Sequence, residues 1–278
     1  MCRLYGFRAN EPTKVECTLI HAQNGLLRQS LRDERGRSNA DGWGICYYQN
    51  GRPILERRAT AAFADVEFAE TAKEVLSETV VAHVRMATVG DPIENNAHPF
   101  VWDRWTFAHN GGLTAFDLLA ETLAAETLPS LQRCRAGTTD SEQIFYWLLT
   151  RIARAGVSLD KTIGDVPSLT DVVAQSIREL ARRNAATGTD QSARLNFVLT
   201  NGAVLIASRW KNSLWWVPRD GVRDCEICGV PHVRHQAETD YRAVVVASEP
   251  ISHEPWQELP DESLLVVNAA VRVSAMSI

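Results

Sequence analysis

At 278 residues, with 45% hydrophobic and 23% charged side chains, the chain has the composition of a soluble globular protein with a sizeable core rather than of a disordered one. A net charge of −5, with no basic run beyond short Arg clusters such as Arg32–Arg37, argues against nucleic acid as a partner. No apolar stretch approaches the ~20 residues that cross a bilayer, no secretion-signal pattern opens the chain, and six cysteines in this length form no dense disulfide framework, so a cytoplasmic protein with reduced thiols and no membrane partner is expected.

The opening CRLYGFRA (Cys2–Ala9) alternates as a strand that would hold the N-terminus in place. Trp43–Tyr48 and Pro53–Arg58 flank Asn50-Gly51, a hairpin signal. Val80–Arg85 and Trp105–Asn110 read as two more strands that each end on a polar group, a common way for a sheet to present chemistry at its rim. The period then changes: Ile144, Phe145, Leu148, Leu149 and Ile152 recur at helical spacing, predicting a helix from Ser141 to about Ala155 with Thr139 or Asp140 near its N-cap. A second helix is predicted over Ser168–Arg183, and strands return at Leu195–Thr200, Val204–Arg209, Ser213–Val217 and Arg242–Ser248. Ala155–Pro167 and Asp220–Asp240 read as loops. Strands, then helices, then strands fit two antiparallel sheets packed face to face and covered by helices rather than a βαβ repeat.

Cys2 stands directly behind a removable Met1. Once Met1 is cut off, one residue carries both a thiol and a free α-amine, whose reference pKa of about 7.7–8.0 leaves it partly neutral near pH 7. Nucleophile and base then sit in a single residue, and a side-chain histidine is not required. Alone, a second-position cysteine reads as a small buried hydrophobe; three distant segments change that reading. Arg85 has the planar fork that clamps a carboxylate through two hydrogen bonds, although a lone arginine would read as a surface ion pair. Thr88 and Gly90 follow in a turn that either lines a small polar pocket or simply turns the chain. His98 in NNAHPF is left open between ligand contact and hydrogen bonding to loop backbone. The Asn110 side-chain N–H and the Gly111 backbone N–H are a pair able to hold the oxyanion formed when a thiolate adds to an amide carbonyl, with a tight turn as the plainer reading. Asp140, at a helix start, caps backbone amides by default and can also accept from a substrate α-ammonium. Arg85 and Asp140 together would read both charges of an α-amino acid.

These residues carry a resemblance. Met1-Cys2, Asn39-Ala40-Asp41-Gly42-Trp43-Gly44, Arg85-Met86-Ala87-Thr88, Asn96-Ala97-His98-Pro99, His109-Asn110-Gly111 and Thr139-Asp140-Ser141-Glu142 are similar, in that order, to the class II, N-terminal-nucleophile glutamine amidotransferases. They occupy the first half of the chain; the later strands with Ser248–Trp256 resemble the rest of the same domain in stand-alone members, among them the γ-glutamyl hydrolases of ergothioneine biosynthesis. The resemblance implies an α+β, four-layer αββα sandwich of two antiparallel sheets, and a single domain over 1–278. It also implies Cys2 as nucleophile, Asn110 and Gly111 as oxyanion hole, and Arg85 and Asp140 as holders of the substrate's carboxylate and amine; Thr88 and His98 stay further binding candidates on the reading of the residues alone. Met86 replaces a tryptophan that synthase-linked members often carry, and Arg3 a frequent glycine, so the ligand beyond the glutamyl group is expected to differ. The expected partner is glutamine or a γ-glutamyl small molecule, hydrolysed through a Cys2 thioester without a cofactor. The alternatives are a glutaminase subunit delivering ammonia to a separate synthase and a non-catalytic ligand-binding protein that keeps the fold.

Cys225-x-x-Cys228 with His232 and His235 places four possible zinc ligands within eleven positions. The spacing is tighter than that of a usual finger and no second CxxC follows, so a loop without metal is the expectation and a zinc knuckle the alternative.

Overall fold

The computed structural model describes residues 2–161, 167–189, 192–233 and 240–278. In chain order the strands are β1 (Arg3–Lys14), β2 (Trp43–Gln49), β3 (Arg52–Arg58), β4 (Leu76–Val84), β5 (Phe100–Trp102), β6 (Trp105–Gly112), β7 (Arg194–Thr200), β8 (Leu205–Arg209), β9 (Trp215–Asp220), β10 (Arg242–Ala247), β11 (Gln257–Glu258), β12 (Ser263–Val267) and β13 (Val273–Ser277). The helices are α1 (Leu26–Leu31), α2 (Val66–Glu74), α3 (Phe116–Glu126), α4 (Pro129–Gln132), α5 (Asp140–Arg154) and α6 (Pro167–Ala186), with a π-helical turn at Cys17–His21. One sheet runs β11-β9-β10-β1-β4-β2-β3 and the other β13-β12-β8-β7-β6-β5. All their pairings are antiparallel.

Alternation along the strands builds the layers, because successive side chains leave opposite faces of a sheet. Leu4 of β1, Val81 of β4, Ala108 of β6 and Val198 of β7 meet between the sheets. Tyr5, Phe7 and Ala9 of β1, with Val80, Ala82 and Val84 of β4, face outward and are covered by Leu19, Leu26 and Phe68 from the helical side. On the other side Phe107 and Phe197 pack under Phe145, Leu149 and Ile177 of α5 and α6. Both faces of each sheet are thus covered, which gives the αββα sandwich expected from the resemblance.

Local chemistry accounts for the junctions. Asn50 (φ 52°) and Gly51 (φ 72°) lie in the left-handed region, which matches a two-residue turn to the strand twist and pairs Gln49 with Arg52. Thr139 is the N-cap of α5, its hydroxyl accepting from the Glu142 amide at 3.2 Å. Asp140 is therefore the first helical residue rather than the cap. The helix expected at Ser168 begins at Pro167, so the loop expected over Ala155–Pro167 ends one residue early, and its residues 162–166 lie outside the described residues. Helices α2 and α3 and strands β5, β12 and β13 were not expected from the sequence. Among the described residues no helix is long and apolar enough to cross a membrane.

Candidate active site

The start of β1, the ends of β4, β6 and β10, and the first turn of α5 meet at one edge of the sandwich. β1 lies between β10 and β4, so its first residues are held from both sides: Arg3 pairs with Val84, and the Leu4 amide donates to Ser248 Oγ at 3.0 Å. Cys2 is half-buried there, its Sγ accepting the Met86 amide at 3.3 Å and lying 3.4 Å from the Met86 carbonyl. Burial pushes the Cys2 thiol above its ordinary 9.0, opposed by the Met86 amide and the charge of Arg85. At neutral pH the sulfur is a thiol that needs a base. Met1, whose removal would supply that base, lies outside the described residues.

Arg3, flagged in the sequence as a departure that would alter the ligand, points elsewhere. Its guanidinium is buried, ion-paired to Asp33 at 2.9 Å and to Glu249, and donates to the Cys2 carbonyl at 3.0 Å. Glu249 also accepts from Asn24 Nδ2 at 3.0 Å, and Asp33 from the Arg35 and Arg37 amides at 2.9 and 2.8 Å. The network braces the residue beside the nucleophile. Sequence pattern could not reveal it, because Asp33 and Glu249 look like ordinary loop acids.

Arg85 is buried and donates to the carbonyls of Val89, Gly90 and Asp91 at 2.9, 3.0 and 3.0 Å. Its fork therefore shapes the turn carrying Thr88 and Val89. Asn96 fastens the same turn, its Nδ2 donating to the Asp91 carbonyl at 3.0 Å and its Oδ1 accepting the Thr138 amide at 2.8 Å. Gly90 is left-handed (φ +72°), and a Cβ there would stand 2.8 Å from Asn96 Nδ2 and from Thr138 Oγ1.

Asn110 is buried on β6. Its Nδ2 donates to Ser248 Oγ at 3.2 Å, while its backbone carbonyl accepts from Asn212 Nδ2 at 2.8 Å. Ser248, marked in the sequence only as the start of the Ser248–Trp256 segment, thus ties the Asn110 amide to β1. Gly111 is obligatory: a Cβ would lie 1.9 Å from the Arg194 carbonyl oxygen and 2.6 Å from His109 Nε2. His109 Nε2 lies 2.9 Å from that carbonyl, which can only accept, so the ring carries its proton on Nε2 and Nδ1 accepts from Ser141 Oγ at 2.9 Å. Asp140 takes the Leu113 amide on Oδ2 and the Ser141 amide on Oδ1, both at 2.8 Å. A Cβ on Gly112 would meet Asp140 Oδ2 at 3.2 Å, so the missing side chain keeps a path open to that carboxylate.

Cys2, Thr88, Asn110, Gly111 and Gly112 line one cavity of about 690 Å³. Arg85 and Asp140 stand behind its walls. His98 does not line it: its ring packs 4.3 Å from that of His83 and 4.6 Å from Phe100, and among the described residues neither of its ring nitrogens has a hydrogen-bond partner. Its carbonyl approaches Gly44 so closely that a Cβ there would lie at 2.3 Å. Both histidines are buried, which lowers their pKa values, that of His83 to about 3, and keeps them neutral. The unfolded chain, with ordinary values near 6.5, binds more protons as pH falls below that value, so stability is lost from about pH 6.5 downward. The expected slope is about 1.4 kcal/mol per pH unit for each histidine once the unfolded rings are charged. Urea unfolding at pH 7.0, 6.0 and 5.0 checks this, and a flat stability over that range would refute it.

The sandwich with a cysteine at the head of an inner strand, facing an Asn-Gly pair from the opposite sheet, is the arrangement of an N-terminal-nucleophile amidohydrolase. A sequence profile of the class-II glutamine amidotransferases matches residues 1–277, and the chain belongs to that family of enzymes. Its relatives include the probable glutamine amidotransferase DUG3 of Saccharomyces cerevisiae, 27% identical over 96% of this chain and 82% of the relative. The γ-glutamyl-hercynylcysteine sulfoxide hydrolase of Mycolicibacterium smegmatis is 30% identical over 97% of both chains. Among solved structures, a glutamine aminotransferase class-II domain protein from Silicibacter pomeroyi superposes with a TM-score of 0.65 at 20% identity, over 100% of this chain and 99% of its own. The glutamine phosphoribosylpyrophosphate amidotransferase of B. subtilis superposes with a TM-score of 0.56 at 17% identity, over 99% of this chain and 49% of its own.

Proposed function

We propose that the protein hydrolyses the γ-glutamyl amide bond of a γ-glutamyl compound larger than glutamine, through a thioester on Cys2. The placement of Cys2, Asn110 and Gly111 on one cavity carries this reading. With Met1 removed, the α-amine takes the thiol proton and Sγ adds to the amide carbon. The oxyanion is held by Asn110 Nδ2–H and the Gly111 amide. The C–N bond then breaks, the α-ammonium returns the proton to the leaving nitrogen, and a γ-glutamyl thioester remains. Water, deprotonated by the same amine, adds to the thioester; collapse releases glutamate and restores the thiol. Arg85 holds the α-carboxylate and Asp140 the α-ammonium, each already fixed by backbone partners.

The cavity size supports the larger substrate, since about 690 Å³ falls among sites of roughly 300–1,000 Å³ that enclose drug-sized ligands. The Mycolicibacterium smegmatis relative is likewise named for a γ-glutamyl compound. Glutamate release is expected to be at least about tenfold faster, in kcat/KM, from γ-glutamyl peptides than from glutamine, a preference worth about 1.4 kcal/mol of transition-state binding. A preference for glutamine that grows on adding a synthase would instead support an ammonia-delivering subunit. Asn110→Ala is expected to lower kcat by about 10²–10³ with little change in KM, because the lost donor acts on the developing oxyanion. Steady-state kinetics with one γ-glutamyl peptide decide it; a rise in KM alone would remove Asn110 from the oxyanion hole.

A further inference from the structure

The far end of β1 holds a second cluster of chemically active side chains. Cys17, from the π-helical turn, meets Cys225, Cys228 and His232 of the segment after β9, with their ligand atoms all within 4.8 Å of one another. Cys17 is buried, Cys225 and His232 are half-buried and Cys228 is exposed. Three of these four were marked in the sequence as a possible knuckle. His235, the fourth, lies outside the described residues, and Cys17 joins the cluster from more than two hundred positions upstream.

We propose that Cys17, Cys225, Cys228 and His232 bind one structural zinc ion. Three sulfurs and one imidazole are a common donor set for structural zinc. With Zn–S about 2.3 Å and Zn–N about 2.0–2.1 Å, a tetrahedron places its sulfurs about 3.8 Å apart and a sulfur and a nitrogen about 3.6 Å apart. Cys228 Sγ already stands 3.3 Å from His232 Nε2, and the other separations need to close by no more than about an ångström. The Ile227 amide points at Cys225 Sγ from 3.4 Å, a donor that stabilises a metal-bound thiolate from outside the ligand shell.

The four protein ligands fill the coordination shell and leave no position for substrate, which marks the site as structural. It is also separate from the active-site cavity, whose lining includes none of the four ligands. What the ion would secure is the segment after β9, which touches β1 through a Thr13–Val233 bridge and a 2.9 Å bond from the Lys14 amide to the His232 carbonyl. These are few contacts for a dozen residues. A metal joining them to the core adds a covalent-strength clip.

The full-length protein, purified under reducing conditions, loaded with zinc and passed through a chelating resin, is expected to retain about one zinc per chain. Cys134→Ser, at an exposed cysteine elsewhere, is expected to retain the same amount. Cys17→Ser and Cys228→Ser are expected to retain less than about a tenth of it, and to melt lower than the wild type, with kcat/KM changed less than about twofold because the cavity is untouched. Cobalt(II) titration of the unaltered protein gives a second reading that needs no variant to fold: a thiolate-to-cobalt charge-transfer band and tetrahedral ligand-field bands saturating at about one equivalent. Zinc retention by Cys17→Ser equal to the wild type would overturn the proposal. So would the absence of both cobalt bands, or a disulfide within the cluster in the reduced preparation.

Discussion

Replacing Cys2 with alanine is expected to lower kcat/KM for a γ-glutamyl peptide by at least about 10⁴-fold, since it removes the sulfur that forms the thioester while leaving the α-amine in place. The fold should hardly notice. Cys2 is half-buried before the first residue of β1, and among the described residues its sulfur makes weak hydrogen-bond contacts with the Met86 backbone at 3.3 and 3.4 Å. Cys2→Ala should therefore melt close to the wild type, which separates lost chemistry from lost structure. A variant with an N-terminal extension that blocks the α-amine should lose activity to a similar degree while keeping its thiol. If the blocked chain turns over as fast as the free one, the α-amine is not the base.

The second large effect is on stability. Arg3→Ala is expected to destabilise the protein by about 3 kcal/mol, because it removes the buried cation shared by two buried carboxylates and leaves Asp33 to the partly exposed Arg37 and Glu249 to neutral donors from Asn24 and Glu34. Asp33 and Glu249 have side chains 0% and 1% exposed, beside an arginine side chain itself 3% exposed. Burial works to raise the Asp33 carboxyl, but the Arg37 amide and the charges of Arg3 and Arg37 outweigh it and hold the carboxyl below its ordinary value. Such a group is ionised in the fold and contributes stability above the unfolded pKa, which is lost as pH falls through the folded value. Chemical denaturation of Arg3→Ala, and of Arg3→Ala combined with Asp33→Asn and Glu249→Gln, measures the effect. The triple variant should recover part of the loss; no loss in the single variant would show that the network does not brace the N-terminus.

The parts of the fold that announced themselves in the sequence are those with strong local codes. The Asn50-Gly51 hairpin needs two left-handed residues and shows two that supply them. Helix α5 repeats its apolar residues over four turns behind a Thr139 cap. By contrast α2 buries only Phe68 and Ala72, too few to set a period, and α3 buries only Leu119 and Leu123 while leaving Leu118 68% exposed. Strand β13 lies at a sheet edge with two of its five residues half-buried and the rest exposed, so no alternation marks it.

The site divides in the same way. Cys2, Arg85, Asn110, Gly111 and Asp140 sit in short motifs that survive reading in one dimension, and the fold brings them to one edge. His98 sits in such a motif too, yet its neighbours are His83 and Phe100 rather than the cavity. The roles of Arg3, Asp33, Ser248 and Glu249 were not legible, although Arg3 and the Ser248–Trp256 segment were marked, because each acts through a partner far along the chain, Glu249 being 246 positions from Arg3. Cys17 escaped for the same reason. Long-range pairs of this kind are set by sheet order, since β1 lies between β10 and β4, and no local pattern encodes that neighbourhood.

The most direct measurement is intact-mass spectrometry of the enzyme quenched in acid during turnover of a γ-glutamyl peptide, followed by peptide mapping. The expected result is a chain that begins at Cys2 and carries one glutamyl group on the N-terminal peptide, absent from Cys2→Ala. Turnover by a chain that still carries Met1, or a glutamyl group mapped to any other residue, would contradict an N-terminal thiol as the nucleophile.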